Sequence, residues 1–154
     1  MEIKRAGGIR TMKFSEIESD KWESLSPYLD TCLLPLTGLT GRENPVQATA
    51  RLEDLRDALD CLEKPFHGRL VTYPAMHFTV DGHSEAAVNE LARRIKENGF
   101  KHVILLTIQS DIQNWVMEDA DLFIYVDVNL LRANPQETRE NLNKKVSQMW
   151  RPVT

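Results

Sequence analysis

His77, Asp81, His83 and Glu85 fall within the ten-residue stretch MHFTVDGHSE, and all four residue types bind metal ions. A catalytic zinc takes three protein ligands and keeps one position open, which His77, Asp81 and His83 could supply from one loop. The spacing argues against it. Histidines six positions apart do not share a helix face, and Asp81-Gly82 is a turn sequence. Ser84 then reads as a helix N-cap, with Glu85 favourably placed against the helix dipole. The stretch is a loop before it is a ligand set, and no metal is assigned.

Other chemistry is equally partial. TGLTGRENP, Thr37 to Pro45, holds two glycines three apart but neither GxGxxG nor GxxxxGK[ST], the patterns whose bare backbone approaches phosphate. Ser110-Asp111 lacks the GxSxG nucleophile elbow. Cys32 and Cys61 sit in apolar patterns without CxxC spacing, as buried free thiols do. His67, His102 and Asp127 flank strands, where structural pairing is the simpler role. No catalytic residue and no cofactor is assigned. The binding candidates are Thr37, Arg42 and Glu43 in one loop, His77, Asp81 and His83 in a second, and Ser110 and Asp111 in a third.

Those loops are positioned by alternating elements. A first helix is predicted over about Ser15 to Ser24, on Phe14, Ile17 and Trp22. CLLPL, Cys32 to Leu36, is a short apolar run suited to a strand buried on both faces, with Pro35 expected at its end. A helix over about Val46 to Glu63 repeats Ala48, Leu52, Leu55, Leu59 and Leu62 on one face. RLVTY, Arg69 to Tyr73, is a second strand and Pro74 to His83 a loop. A helix over about Glu85 to Asn98 carries Val88, Leu91, Ala92 and Ile95, and Gly99 suits a left-handed C-cap. HVILLT, His102 to Thr107, is the clearest strand. Ile108 to Trp115 is a loop or short helix, and LFIYVDV, Leu122 to Val128, a fourth strand. The last helix starts at Pro135, capped by Asn134 with Glu137 at the third position.

This alternation predicts an α/β fold: one three-layer domain with a mostly parallel four-stranded sheet, helices on both faces and Rossmann-like topology. Ligands in such folds bind beyond the carboxyl ends of the strands, which is where all three candidate loops fall. The 154 residues suit a single domain. The domain is expected over 12–154, with residues 1–11 a disordered extension or the product of an upstream start codon.

The formal charge of −4 with dispersed Lys and Arg argues against a nucleic-acid binder. No apolar run reaches the ~20 residues of a membrane span, and the N-terminus lacks the apolar core of a secretory signal. The expected location is the cytoplasm, with no membrane insertion. Trp22, Trp115 and Trp150 lie at the ends of helical segments. Core-edge packing is their simplest role, but tryptophans also concentrate in interfaces, which makes Trp115, Met149 and Trp150 the interface candidates.

At DTCLLPLTG, HGRLVTYPAMHF and ENGFKHVILLT the chain resembles the small uncharacterised bacterial YpiF family. The carrying residues are Leu29-Asp30-Thr31, Pro35-Leu36, Gly68-Arg69-Leu70, Pro74, Gly99, Lys101-His102, Leu106-Thr107 and Trp115. The resemblance covers about Met12 to Trp150. It implies no established activity; the family's genes often lie beside those of the menaquinol–cytochrome c reductase, which implies a link to respiratory-complex biogenesis. A more distant similarity, to creatininase-type amidohydrolases, implies a related topology. Of that family's metal ligands only Glu43 survives at a matching place, and the histidines of both ligand loops are missing, so the chain resembles a catalytically silent relative.

The expected function is that of a non-enzymatic accessory factor working through protein contacts, with a protein partner or a homodimer. The alternative is a small-molecule binder, or a metal-dependent amidohydrolase-like enzyme, with its site beyond the strand ends.

Overall fold

The computed structural model describes residues 13–78 and 84–151. The expected extension at 1–11 lies outside them. At the centre stands β1 (Thr31–Leu39), buried along its whole length. β4 (His102–Thr107) pairs with it in parallel from Thr31↔His102 to Leu36↔Thr107. β5 (Leu122–Tyr125) adds parallel to β4's far side. On the other side of β1, β2 (Leu70–Thr72) covers its first half and β3 (Met76–Phe78) its second. The order is β2-β1-β4-β5, with β3 continuing the line of β2.

Alternation along the strands divides the core in two. Leu33, Ile104 and Leu106 face α2 (Pro45–Glu63) and α5 (Pro135–Trp150), meeting Leu59, Leu62 and Val146. Leu34, Val103 and Leu105 face α3 (Ser84–Glu97), whose Val88, Ala92 and Ile95 form the inward stripe. Three layers result, as the sequence predicts. The chain leaves β1 through α2 to β2 on one side, then crosses through α3 to β4 on the other. The order therefore reverses between β1 and β4, where a parallel sheet opens a crevice at its carboxyl edge.

Local signals explain most boundaries. Asn44 and Gln47 form a reciprocal capping box at the start of α2. Asn134 caps α5 through the Glu137 amide. Gly99 takes φ +114° after α3, and Ser84 opens that helix. At the other terminus Lys13 bridges to Thr72 and its ammonium reaches the buried Glu63 carboxylate at 2.9 Å.

Four expectations are corrected. Among the described residues the sheet has five strands rather than four, because Met76–Phe78 inside the expected second loop pairs with β1. Pro35 lies in the middle of the central strand, not at its end. The Leu33 carbonyl accepts from the Tyr73 amide, so by alternation Pro35's missing N–H faces the same side. It falls at the break between β2 and β3, where no ladder donor is required. The first helix is instead a 3-10 turn, Phe14–Glu16, and one short α-helical turn, α1 (Trp22–Leu25). Ile17 to Trp22 is a step of five, which cannot stay on one helix face. Finally, β5 stops at Tyr125, and Asp127 caps an unexpected helix, α4 (Val128–Ala133), accepting from the amides of Asn129 and Leu130.

Candidate functional site

At the carboxyl edge, β1 ends in a bulge. Its register shifts between Leu36 and Leu39, and Gly38 takes φ +68°, a left-handed conformation that glycine adopts without steric cost. Two contacts join β1 to the loops on either side. The buried Thr37 hydroxyl donates to the Met76 carbonyl at 3.2 Å and also to the His77 carbonyl. On the other side Gln109 packs so closely on Gly38 that a Cβ would lie 2.5 Å from Gln109 Cβ. Gln109 is pinned in turn, its amide donating to Thr107 Oγ1 and its Nε2 to Asp111 Oδ2.

Beyond Gln109 a cavity of about 360 Å³ opens between α2, the end of β4 and α4. Arg51 of α2 donates through Nη1 to Gln109 Oε1. Arg132 of α4 pairs with Asp54 of α2. Asn129 and Gln47 add amides, and Ile108, Ala50 and Val128 an apolar surface.

The sequence-derived candidates are brought together only in part. Thr37 touches the second loop and, through the adjacent Gly38, the third. Glu43 is turned onto its own loop, accepting from the amides of Thr40 and Gly41 and from the Thr40 hydroxyl. The Thr40 backbone bond is the largest of the effects that bring its pKa down to about 2. Arg42 is exposed beside it, and His77 is exposed in β3. Ser110 and Asp111, both exposed, open a 3-10 turn, Ser110–Ile112. Asp81 and His83 lie outside the described residues. Among the described residues no three His, Cys, Asp or Glu side chains gather as a metal site. Burial pushes the thiol pKa of Cys32 and of Cys61 up, away from thiolate chemistry.

The amino edge carries features that no motif announced. Phe14, Tyr73, Phe100 and Trp22 form an aromatic chain, with neighbouring ring centroids 6.4, 5.4 and 6.2 Å apart. Two hollows of about 210 and 380 Å³ abut there, both lined by Trp22 and Phe100. Phe14 is 48% exposed, Trp22 38% and nearby Tyr28 70%. Phe100, which links Trp22 to Tyr73, is only 5% exposed, so the exposed part of the chain is Phe14 and Trp22, and exposed rings beside a hollow make a candidate contact surface.

Behind the groove, residues far apart in sequence tie the fold together. Arg69 grips Asp30 in a two-pronged ion pair, Nε–Oδ1 at 2.9 Å and Nη2–Oδ2 at 3.2 Å. The guanidinium stacks 4.0 Å from the Trp150 ring. The indole Nε1 donates to Thr31 Oγ1, which donates to Asp30. Burial alone would raise the Asp30 pKa. Hydrogen bonds from Arg69 and Thr31, with the charges of Arg69 and His102, outweigh it and leave the pKa lowered. Trp150 is thus engaged within the chain. Met149 packs partly buried on the α2–α5 core, and Trp115 on the α3 core.

An all-parallel sheet with helices on both faces, an order reversal at its centre and a cavity beside it defines a doubly wound α/β domain. Residues 20–154 match the family described as "Protein of unknown function (DUF2487)", and the chain belongs to that family. No curated protein and no solved structure matches the chain.

Proposed function

We propose that the protein works by binding another protein, without catalysing a reaction, and that its docking surface is the aromatic groove at the amino edge. The observation that carries this reading is that Trp22 and Phe100 line both hollows. Aromatic side chains around a concave surface supply the anchoring energy of most protein interfaces.

The charge beside the groove selects the partner. The segment Glu16 to Glu23 carries four acids against one lysine. A second copy docking through the same patch would bring two such segments together across a two-fold axis, which favours a different partner. The fitting occupant is an apolar segment flanked by Lys and Arg. Cytoplasm-facing loops of membrane proteins carry an excess of Lys and Arg beside apolar membrane spans. The YpiF resemblance, with its implied genetic link to the menaquinol–cytochrome c reductase, supports a cytoplasmic accessory factor engaging such a loop on that complex.

The test is fluorescence anisotropy with labelled peptides tiling the cytoplasm-facing loops of that reductase. At least one basic, apolar peptide should bind, more weakly as salt screens the acids. Trp22→Ala should weaken it at least about tenfold, the loss of one anchoring aromatic. Binding by no peptide, or equal binding by Trp22→Ala, sinks the proposal. Light scattering should find a monomer; a dimer dissolved by Trp22→Ala would reassign the groove to self-association.

A further inference from the structure

At the opposite edge of the sheet from the docking groove, we infer that the cavity between α2 and α4 is a binding site for a small organic oxyanion, a carboxylate or phosphate ester with an apolar body. Two guanidinium groups reach it from different helices, Arg51 from α2 and Arg132 from α4. Each bonds an acceptor, Arg51 the pinned Gln109 and Arg132 the Asp54 carboxylate of α2. Arginine presents a planar fork of five N–H donors. One bond to Gln109 or Asp54 sets its direction and leaves further donors for a ligand.

The orientation of Arg51 is built from the backbone up. Gly38 has no side chain where Gln109 packs, and Gln109 is held at three points, on Thr107, Asp111 and Arg51. Such an acceptor fixes its guanidinium in advance, which lowers the ordering cost of binding. The wall carries two cations against one carboxylate in a chain whose net charge is −4, so an anion is attracted and a cation is not. Ile108 gives the apolar surface that an organic body requires. The volume, about 360 Å³, falls in the small-ligand range of roughly 300–1,000 Å³. The location beside the β1–β4 reversal is where sheets of this topology open to ligands.

Carboxylate and phosphate share the geometry that an arginine fork recognises, so the test uses phenyl phosphate, benzoate and inorganic phosphate. Phenyl phosphate, benzoate or both should bind saturably by calorimetry and raise Tm by about 5 °C or more at one hundred times Kd. Whichever binds more tightly identifies the head group. Arg51→Met and Arg132→Met should each weaken binding at least tenfold. Arg56→Met, on an exposed part of α2 outside the cavity, should leave it unchanged. Urea unfolding of each variant checks that the fold survives. The site is overturned if neither organic probe binds, or if Arg56→Met loses as much affinity as the cavity variants. Inorganic phosphate binding as tightly as phenyl phosphate would overturn the organic part.

Discussion

Replacing Gly38 with alanine should destabilise the fold and displace the acceptor that orients Arg51. The residue occupies φ +68°, and an added Cβ would meet Gln109 Cβ at 2.5 Å and Cγ at 2.6 Å. Neither atom is the free end of a flexible chain, so the third loop itself must give way. A left-handed conformation costs a non-glycine residue roughly 1 kcal/mol, and overpacking adds ~1–3 kcal/mol. The expected loss is about 2–4 kcal/mol, large against a domain stability of roughly 5–15 kcal/mol. Urea unfolding followed by tryptophan fluorescence should show a lower midpoint at unchanged slope. Gln109→Gly removes both atoms that the new methyl strikes. The double variant should therefore be about 1–3 kcal/mol more stable than the two single losses added together, while the backbone cost persists. A Gly38→Ala loss below ~0.5 kcal/mol, or strict additivity in the cycle, would refute the reasoning.

Two further outcomes concern the amino edge. The Asp30 carboxyl, with its pKa held below the ordinary value, stabilises the fold fully above the unfolded pKa of about 3.9 and loses that contribution as pH falls through the folded value. Asp30→Asn should therefore cost about 1–2 kcal/mol at pH 6, discounted because Arg69 is 40% exposed. That difference should shrink toward pH 3 in parallel urea series; a constant difference contradicts it. Trp150→Phe keeps an aromatic ring but removes the donor to Thr31 Oγ1. A loss of about 1–3 kcal/mol in unfolding free energy is expected, and a loss under ~0.5 kcal/mol would count against the indole bond.

Sequence pattern carried the long elements because their information is local. HVILLT is apolar from Val103 to Leu106, and Asn134 with Glu137 marks a helix start. The buried leucines of α2, Leu55, Leu59 and Leu62, repeat at three-to-four-residue spacing although Leu52 is 41% exposed. What failed was short or non-local. Met76–Phe78 is too brief to show a period, and it becomes a strand only because β1 runs on beyond β2. The rule that keeps proline out of sheet interiors holds at Pro35, but its outcome depends on which neighbour that nitrogen faces. The candidate site shows the same division. The third loop follows β4 as expected, whereas Thr37 of the first lies inside β1 and Met76–Phe78 of the second is itself a strand. The cavity takes Arg51 and Arg132 from helices, and α4 shares only Val128 with the stretch that reads as strand. Trp150 and Thr31 are separated by 119 positions, and the aromatic groove unites Phe14, Trp22, Tyr73 and Phe100 from four segments. No spacing rule links residues that meet only through the fold.

Hydrogen–deuterium exchange on the protein, with and without a basic, apolar loop peptide at saturating concentration, tests the docking surface most directly. Slower exchange is expected over Phe14 to Leu25, around Tyr73 and at Phe100, and that protection should disappear in Trp22→Ala. Protection confined to the carboxyl edge, or none anywhere, would contradict the account.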